Sequence, residues 1–258
     1  MKKLFFSIII ISFLVFDFFV IYSEFNYFPL FEKEIEVSFE SWKDLKNFFD
    51  EIGYTSLKNP PRVYLKSFPK DLKDAPVDVR KELFVKIMLP IIRKVNSEIL
   101  AEREKIIILK KKGDLGKLRK FIKKYYAKSY DELLIKVDKI PEDLAIAQAA
   151  IESAWGTSKF AVYANNIFGE WTYEPGTGIV PDERPDGEIY EIEYFRTLED
   201  SVRSYALNLN RLPYYKKFRL IRAGIEKGHP ADGLVYYSQM REKYVEIVKT
   251  VIKHLPKL

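Results

Sequence analysis

The segment "AQAAIESAWGTSKFA" carries one acid, Glu152, at the far end of a run of small helix-forming residues. A carboxylate there meets the negative end of the helix dipole, which disfavours the charge by roughly 0.3–1 kcal/mol and so favours the protonated form. Burial against a ring such as Trp155 would act in the same direction. A carboxylic acid kept protonated near neutral pH is what general-acid cleavage of a glycosidic bond requires. An exposed or ion-paired glutamate at a frayed helix end would occupy the same position, so position alone leaves both readings open. Other chemistries have little to work with. There are no cysteines, which excludes disulfides and thiolate catalysis, and neither His229 nor His254 belongs to a metal-ligand pair or lies near a nucleophile motif.

The elements that must position Glu152 are mainly helical. A helix opened by Pro141 and stopped by Gly156 would line Leu144, Ala147, Ile151 and Trp155 along one face. Upstream, Ser38 is a candidate N-cap for a short helix carrying Trp42, Leu45, Phe48 and Phe49. Prolines 60, 61, 69 and 76 then predict an extended, turn-rich surface stretch. From Val79 onward Phe84, Ile87, Met88, Ile91, Ile92, Val95 and Ile99 keep helical spacing, with Pro90 expected to kink or split the helix. Between Lys105 and Lys128 ten Lys or Arg face one acid, which reads as a solvated helix face or a contact for an anionic polymer or surface. After Asn166 the pattern turns to a β-hairpin over 188–195, then a helix capped by Thr197 with Asp200, then a helical tail over 234–255. The fold class is therefore mainly α with a small β excursion.

With 258 residues, 47% of them hydrophobic, the chain can bury one large core or two small ones. The net charge of +6 favours acidic partners. "MKKLFFSIIIISFLVFDFFVIYSE" reads as a membrane anchor or signal segment over residues 1–24, since a spanning helix needs about 20 apolar residues. Lys2 and Lys3 keep its start in the cytoplasm and export the rest to the cell envelope, anchored on the periplasmic side of the inner membrane or released there. That topology and the lack of a reading module argue against nucleic acid as a partner.

"LAIAQAAIESAWGTSKFA" followed by "NNIFGEW" resembles the glucosaminidase-type peptidoglycan hydrolases of glycoside hydrolase family 73, whose signature is A-x-x-E-S-x-W-G followed by an N-[LI]-F-G turn. "GTGIVP", "SVRSYALNLN", "FRLIR" and "YYSQMREKYV" extend the resemblance, most closely to Bax-type proteins, over roughly residues 60 to 253. It implies an α+β, lysozyme-like fold: a helical catalytic lobe over 131–258, a β-hairpin lobe flanking the cleft, and a helical N-terminal region over 25–130. It implies hydrolysis of the β-1,4 bond between N-acetylglucosamine and N-acetylmuramic acid in peptidoglycan glycan strands. Glu152 would be the acid, no metal or organic cofactor would be needed, and a cell-wall protein partner could dock on the helices of 79–130.

The second carboxylate would be Glu183, in "ERPDG", with Glu170 and Glu174 competing for the role. A base at Glu183 implies inversion and carboxyls ~6.5–9.5 Å apart; without one, the substrate's N-acetyl group would act as nucleophile with retention. Tyr237, or its neighbour Tyr236, matches a cleft tyrosine, although "SQM" stands where many members carry a "TDP"-like stretch. Trp155, Asn166, Phe168 and Trp171 complete the expected substrate-binding set; Trp171 would stack on a sugar face or pack under the hairpin. Two other readings remain compatible with the residues: a non-catalytic wall-binding scaffold, and a lysozyme-like muramidase or lytic transglycosylase.

Overall fold

A computed structural model of the chain describes residues 34–181, 184–185 and 187–258. The expected anchor or signal segment lies outside them, as does Glu183. In chain order the elements are β1 (Ile35–Val37), α1 (Trp42–Glu51), β2 (Val63–Leu65), α2 (Val77–Lys111), α3 (Leu115–Lys124), α4 (Tyr130–Lys136), α5 (Glu142–Glu152) and α6 (Lys159–Ala164). Strands β3 (Trp171–Thr172), β4 (Gly178–Ile179) and β5 (Glu191–Glu193) follow, then α7 (Leu198–Arg211), α8 (Lys216–Arg222) and α9 (Glu242–His254). The fold is mainly α with small sheets. No helix among the described residues is long and apolar enough to cross a membrane.

The N-terminal part departs from expectation in three places. The cap of α1 is Ser41, whose hydroxyl accepts from the Lys43 N–H, and Ser38 lies ahead of it in the connection from β1. The stretch expected at the surface runs through the core: Val63, Tyr64, Leu65, Phe68 and Leu72 are all buried, and β2 pairs in parallel with β1, Val63 opposite Ile35. Its prolines flank the strand and so break no ladder bond. Finally, α2 passes through Pro90 as one helix of 35 residues. Every residue from 83 to 92 is buried, so packing on all sides offsets a proline penalty of about 3 kcal/mol. The basic run does form a solvated face: on α3, Leu118 enters the core while Lys117, Arg119, Lys120, Lys123 and Lys124 are exposed.

One core runs from Leu45 to Val248, so the regions on either side of residue 130 are packed as a unit. The apolar stripe of α2 packs against α5 and α7. Asn96 of α2 fixes the entry to α5: its Nδ2 donates to the Ile140 carbonyl and its Oδ1 accepts from the Ile140 N–H, both at 2.8 Å. Residues 144–150 of α5 are buried on every side, and its alanines let α2 and α9 approach closely.

The β region is a three-stranded antiparallel sheet in the order β3-β5-β4, where a simple hairpin was expected. Glu191 on β5 accepts from the N–H groups of Gly176 and Gly178, which brings β4 in as the extra strand. Thr197 caps α7 as expected, accepting from the Asp200 N–H. The C-terminal helix begins at Glu242, later than expected, because residues 235–241 run as turns after a 3-10 turn, Pro230–Gly233. The 3-10 turn packs on α8 with no space at Gly233: a Cβ there would sit 2.1 Å from the Phe218 nitrogen and 2.3 Å from its Cα. Backbone cannot yield as a side chain can, so Gly233→Ala should cost about 3 kcal/mol. For a chain of this size the melting temperature should fall by roughly 6–12 °C, which calorimetry would read; an unchanged value would mean that the turn and α8 are not packed this way.

Candidate active site

Glu152 is the last residue of α5, and the chain beyond it is held in an uncommon conformation. Ala154, Trp155 and Gly156 all have positive φ, at 51°, 60° and 78°. For the two non-glycine residues this costs on the order of 1–3 kcal/mol each, and such strain survives only where neighbours over-determine it. Those neighbours are visible. The Ser153 hydroxyl donates to the Ala149 carbonyl at 2.6 Å and accepts from the Gly156 N–H at 2.9 Å. Gly156 presses on the Phe68 ring, 2.9 Å from where a Cβ would stand.

This turn takes Trp155 off the helical face on which the sequence placed it. Its ring meets the edge of Phe84 at 5.5 Å and lies under Lys81 Nζ at 5.1 Å. There it lines a cavity with Lys81, Lys86, Thr250 and His254, apart from the groove described below.

The ring beside Glu152 belongs instead to Tyr244, in the first turn of α9. Its hydroxyl donates to Glu152 Oε1 at 2.6 Å. That direction is fixed by a chain of partners. Tyr205 donates to Gln148 Oε1 at 2.8 Å, which orients the amide so that Gln148 Nε2 donates to the Tyr244 hydroxyl at 3.1 Å. With its lone pair taken, Tyr244 has its proton left for Glu152. Burial pushes the Glu152 carboxyl above the ordinary carboxylate range, and the Tyr244 bond opposes this only in part. The expected direction is thus found, with a tyrosine where a tryptophan was anticipated.

Tyr237 stacks on Tyr244, the centroids 5.4 Å apart and the rings within 9° of parallel, and donates to the Phe168 carbonyl at 3.3 Å. Phe168 in turn lies flat on Tyr205 at 3.8 Å. Tyr237, Phe168 and Tyr205, with Trp171, Tyr215, Glu170 and Asn208, line a groove of about 230 Å³. Tyr205, Tyr215 and Tyr237 all feel the charge of Glu152, and Tyr205 and Tyr215 also that of Glu170; burial is the main cause that pushes Tyr215 up to about 12. Trp171 is half exposed at the rim, 4.2 Å from the Tyr190 ring. Tyr236 turns outward under Arg241, so the groove tyrosine of this pair is Tyr237.

Asn166 faces the sheet: Nδ2 donates to the carbonyls of Glu170 and Glu193, and Oδ1 accepts from the Glu170 N–H. It is 1% exposed and ties β5 to the end of α6, with no polar atom left over for a sugar. Glu174 lies in the turn before β4, where its carbonyl accepts from Thr177.

Glu170 is the acid that lines the groove itself, whereas Glu152 is joined to it through Tyr244 and Tyr237. Ser204 Oγ and Asn208 Nδ2, both on α7, donate to its Oε2 at 2.6 Å each. Its Oε1 is closed off from solvent and has no hydrogen-bond partner. Burial, with some help from Glu193, pushes this carboxyl up to about 7. Gln148, Ser204 and Tyr244 were missed as site residues. Nothing local in the sequence marks them, and Tyr244, 92 residues from Glu152, enters only as part of a matching stretch.

The Glucosaminidase family, described as mannosyl-glycoprotein endo-beta-N-acetylglucosaminidase, matches residues 127–256. The protein named "Protein bax" of Escherichia coli (strain K12) is 32% identical over 161 residues, which cover 57% of this chain and 57% of that protein. The chain thus spans little more than half the length of that curated relative. No solved structure matches the chain. The family match takes in half of the chain, including the glutamate at the end of α5, the aromatic groove and Tyr244, and on that ground the chain belongs to the Glucosaminidase family.

Proposed function

We propose that this protein is an endo-β-N-acetylglucosaminidase that hydrolyses the β-1,4 bond between N-acetylglucosamine and N-acetylmuramic acid in peptidoglycan. Glu152 is the general acid. The observation that carries this reading is the polar chain from Tyr205 through Gln148 and Tyr244 to Glu152 Oε1. It leaves Oε2 to hold the proton, in a setting that keeps the carboxyl neutral to a higher pH than usual. Delivered to the departing glycosidic oxygen, that proton contributes typically 10²–10⁴-fold to rate.

The groove beside it suits an acetamido sugar. Phe168, Trp171, Tyr215 and Tyr237 offer ring faces, and Glu170 is the acid that lines the groove with them. Glu170 is accordingly the orienting carboxyl of this site. The apolar, doubly basic N-terminal segment supports a location at the cell envelope, facing the wall.

The bond is identified by its products. Mass spectrometry of wall fragments released by the purified full chain should find N-acetylglucosamine at the new reducing ends. Muramic or anhydromuramic ends would instead make the protein a muramidase or lytic transglycosylase, and binding without release would make it a scaffold.

A further inference from the structure

On the reverse side of the turn that closes the groove lies a second cavity, of about 560 Å³. Leu212 and Tyr215 face the groove, whereas Arg211, Pro213 and Lys216 face this pocket. Its other charged residues are Lys128, Lys136 and Arg219, with Glu132 as the single acid.

That acid is already engaged. Glu132 Oε1 pairs with Lys136 Nζ at 3.2 Å, and its Oε2 accepts from the Lys128 backbone N–H at 2.7 Å. The buried Lys136 and Arg219 have only carbonyl dipoles besides: Lys136 donates to Tyr125, Tyr126 and Arg211, and Arg219 to Leu209 and Leu212. Burial lowers the pKa of both, with Arg219 near 10, and Lys136 is further lowered by repulsion from Arg219 and Lys128. Positive charge is therefore crowded here beyond what the protein neutralises.

Two donors are unspent. The ammonium groups of Lys128 and Lys216 are exposed, with no hydrogen-bonded partner among the described residues.

We propose that this pocket binds the carboxylates of a short acidic peptide, carried as a substituent by the glycan in the neighbouring groove; the second half of this statement rests on the wall-glycan reading above. The walls favour a peptide over a bare ion. Tyr126, Ile135 and Leu220 give apolar sides to a space far larger than one phosphate, and the cations sit among them. Arg211 also joins the two sites, since its guanidinium donates to Asn208 Oδ1 while Asn208 Nδ2 holds Glu170. Substrates that carry peptides are thereby distinguished from bare glycan strands.

Calorimetric titration of the full chain with the N-acetylated peptide Ala-Glu-Ala, which bears two free carboxylates and no cation, should give saturable binding that salt weakens. Amidation of both carboxyls, or the double change Lys128→Glu with Lys216→Glu, should each weaken binding by about tenfold or more. The milder pair Lys128→Gln with Lys216→Gln should fall between. Both lysines are exposed, so either pair leaves the fold intact. Equal binding of acid and amide, indifference to the lysines, or inorganic phosphate bound as tightly as the peptide would each overturn the assignment.

With wall as substrate, the double variants should raise KM for peptide-bearing glycan and leave peptide-stripped glycan unchanged; an equal rise for both would overturn the link to the groove. A chain that binds the peptide through these lysines yet cuts no wall would refute the hydrolase and keep the pocket. One that cuts wall but ignores the peptide would do the reverse.

Discussion

Glu152→Gln should reduce wall hydrolysis by roughly 10²–10⁴-fold with little change in binding to the wall or in melting temperature. The expectation follows from how the side chain is held. Tyr244 donates to Oε1, and a glutamine carbonyl oxygen accepts that bond equally well, so the shape and the polar chain survive. What disappears is the proton on the other oxygen. Tyr244→Phe provides the contrast. It keeps the acid but removes the one hydrogen bond that pulls the Glu152 pKa downward, while burial, which pushes it upward, remains. Activity of a general acid is lost as pH rises through its pKa, so the alkaline limb of the rate profile should move to higher pH in Tyr244→Phe. The maximal rate should fall because the carboxyl is no longer aligned. Full activity of Glu152→Gln would remove the acid role, and an unmoved limb in Tyr244→Phe would remove the tyrosine from it.

The sequence made some of this site legible for definite reasons. Glu152 stands out because an acid at a helix C-terminus among alanines is locally anomalous, and the glycine and tryptophan after it share one motif. The cap at Thr197 was readable because its partner, Asp200, is three residues away. What was lost is what depends on contacts distant in sequence. Trp155 was assigned to a helical face because periodicity continues through it, yet two left-handed residues end the helix first. Nothing in a sequence announces αL at alanine or tryptophan. Asn166 was read as reaching sugar, but its partners are the carbonyls of Glu170 and Glu193, the second of them 27 residues away. The buried strand β2 was hidden by the prolines around it, and Pro90 was over-weighted because burial on all sides is invisible to a count of hydrophobic spacing. Tyr244 became a site residue only once α9 was packed on α5.

Glu170→Gln should leave stability unchanged near pH 4 and raise it by about 2–4 kcal/mol at pH 8, seen as a melting temperature roughly 5–10 °C above the wild type. Burial raises the folded-state pKa of Glu170 from an ordinary 4.5 to about 7. Between those values the folded chain binds more protons than the unfolded one, so wild-type stability falls as pH climbs through the window. Below it the neutral acid and the amide are alike. Each accepts from Ser204 and Asn208 at one oxygen and leaves an uncharged donor group at the Oε1 position without a partner. Above it only the wild type bears the cost of a buried charge, which Arg211 relieves in part. The same change should raise KM several-fold above pH 7, because a groove-lining carboxylate that attracts the polar hydrogens of a sugar is replaced by a neutral amide. A chain tolerates a buried acid that weakens it at neutral pH when that acid has work in the groove, so the two effects belong together. If the melting curves of variant and wild type stayed parallel across pH, the carboxyl would not be buried as described. If stability rose without any change in KM, Glu170 would be a structural residue and the orienting role would pass to another carboxyl of this lobe.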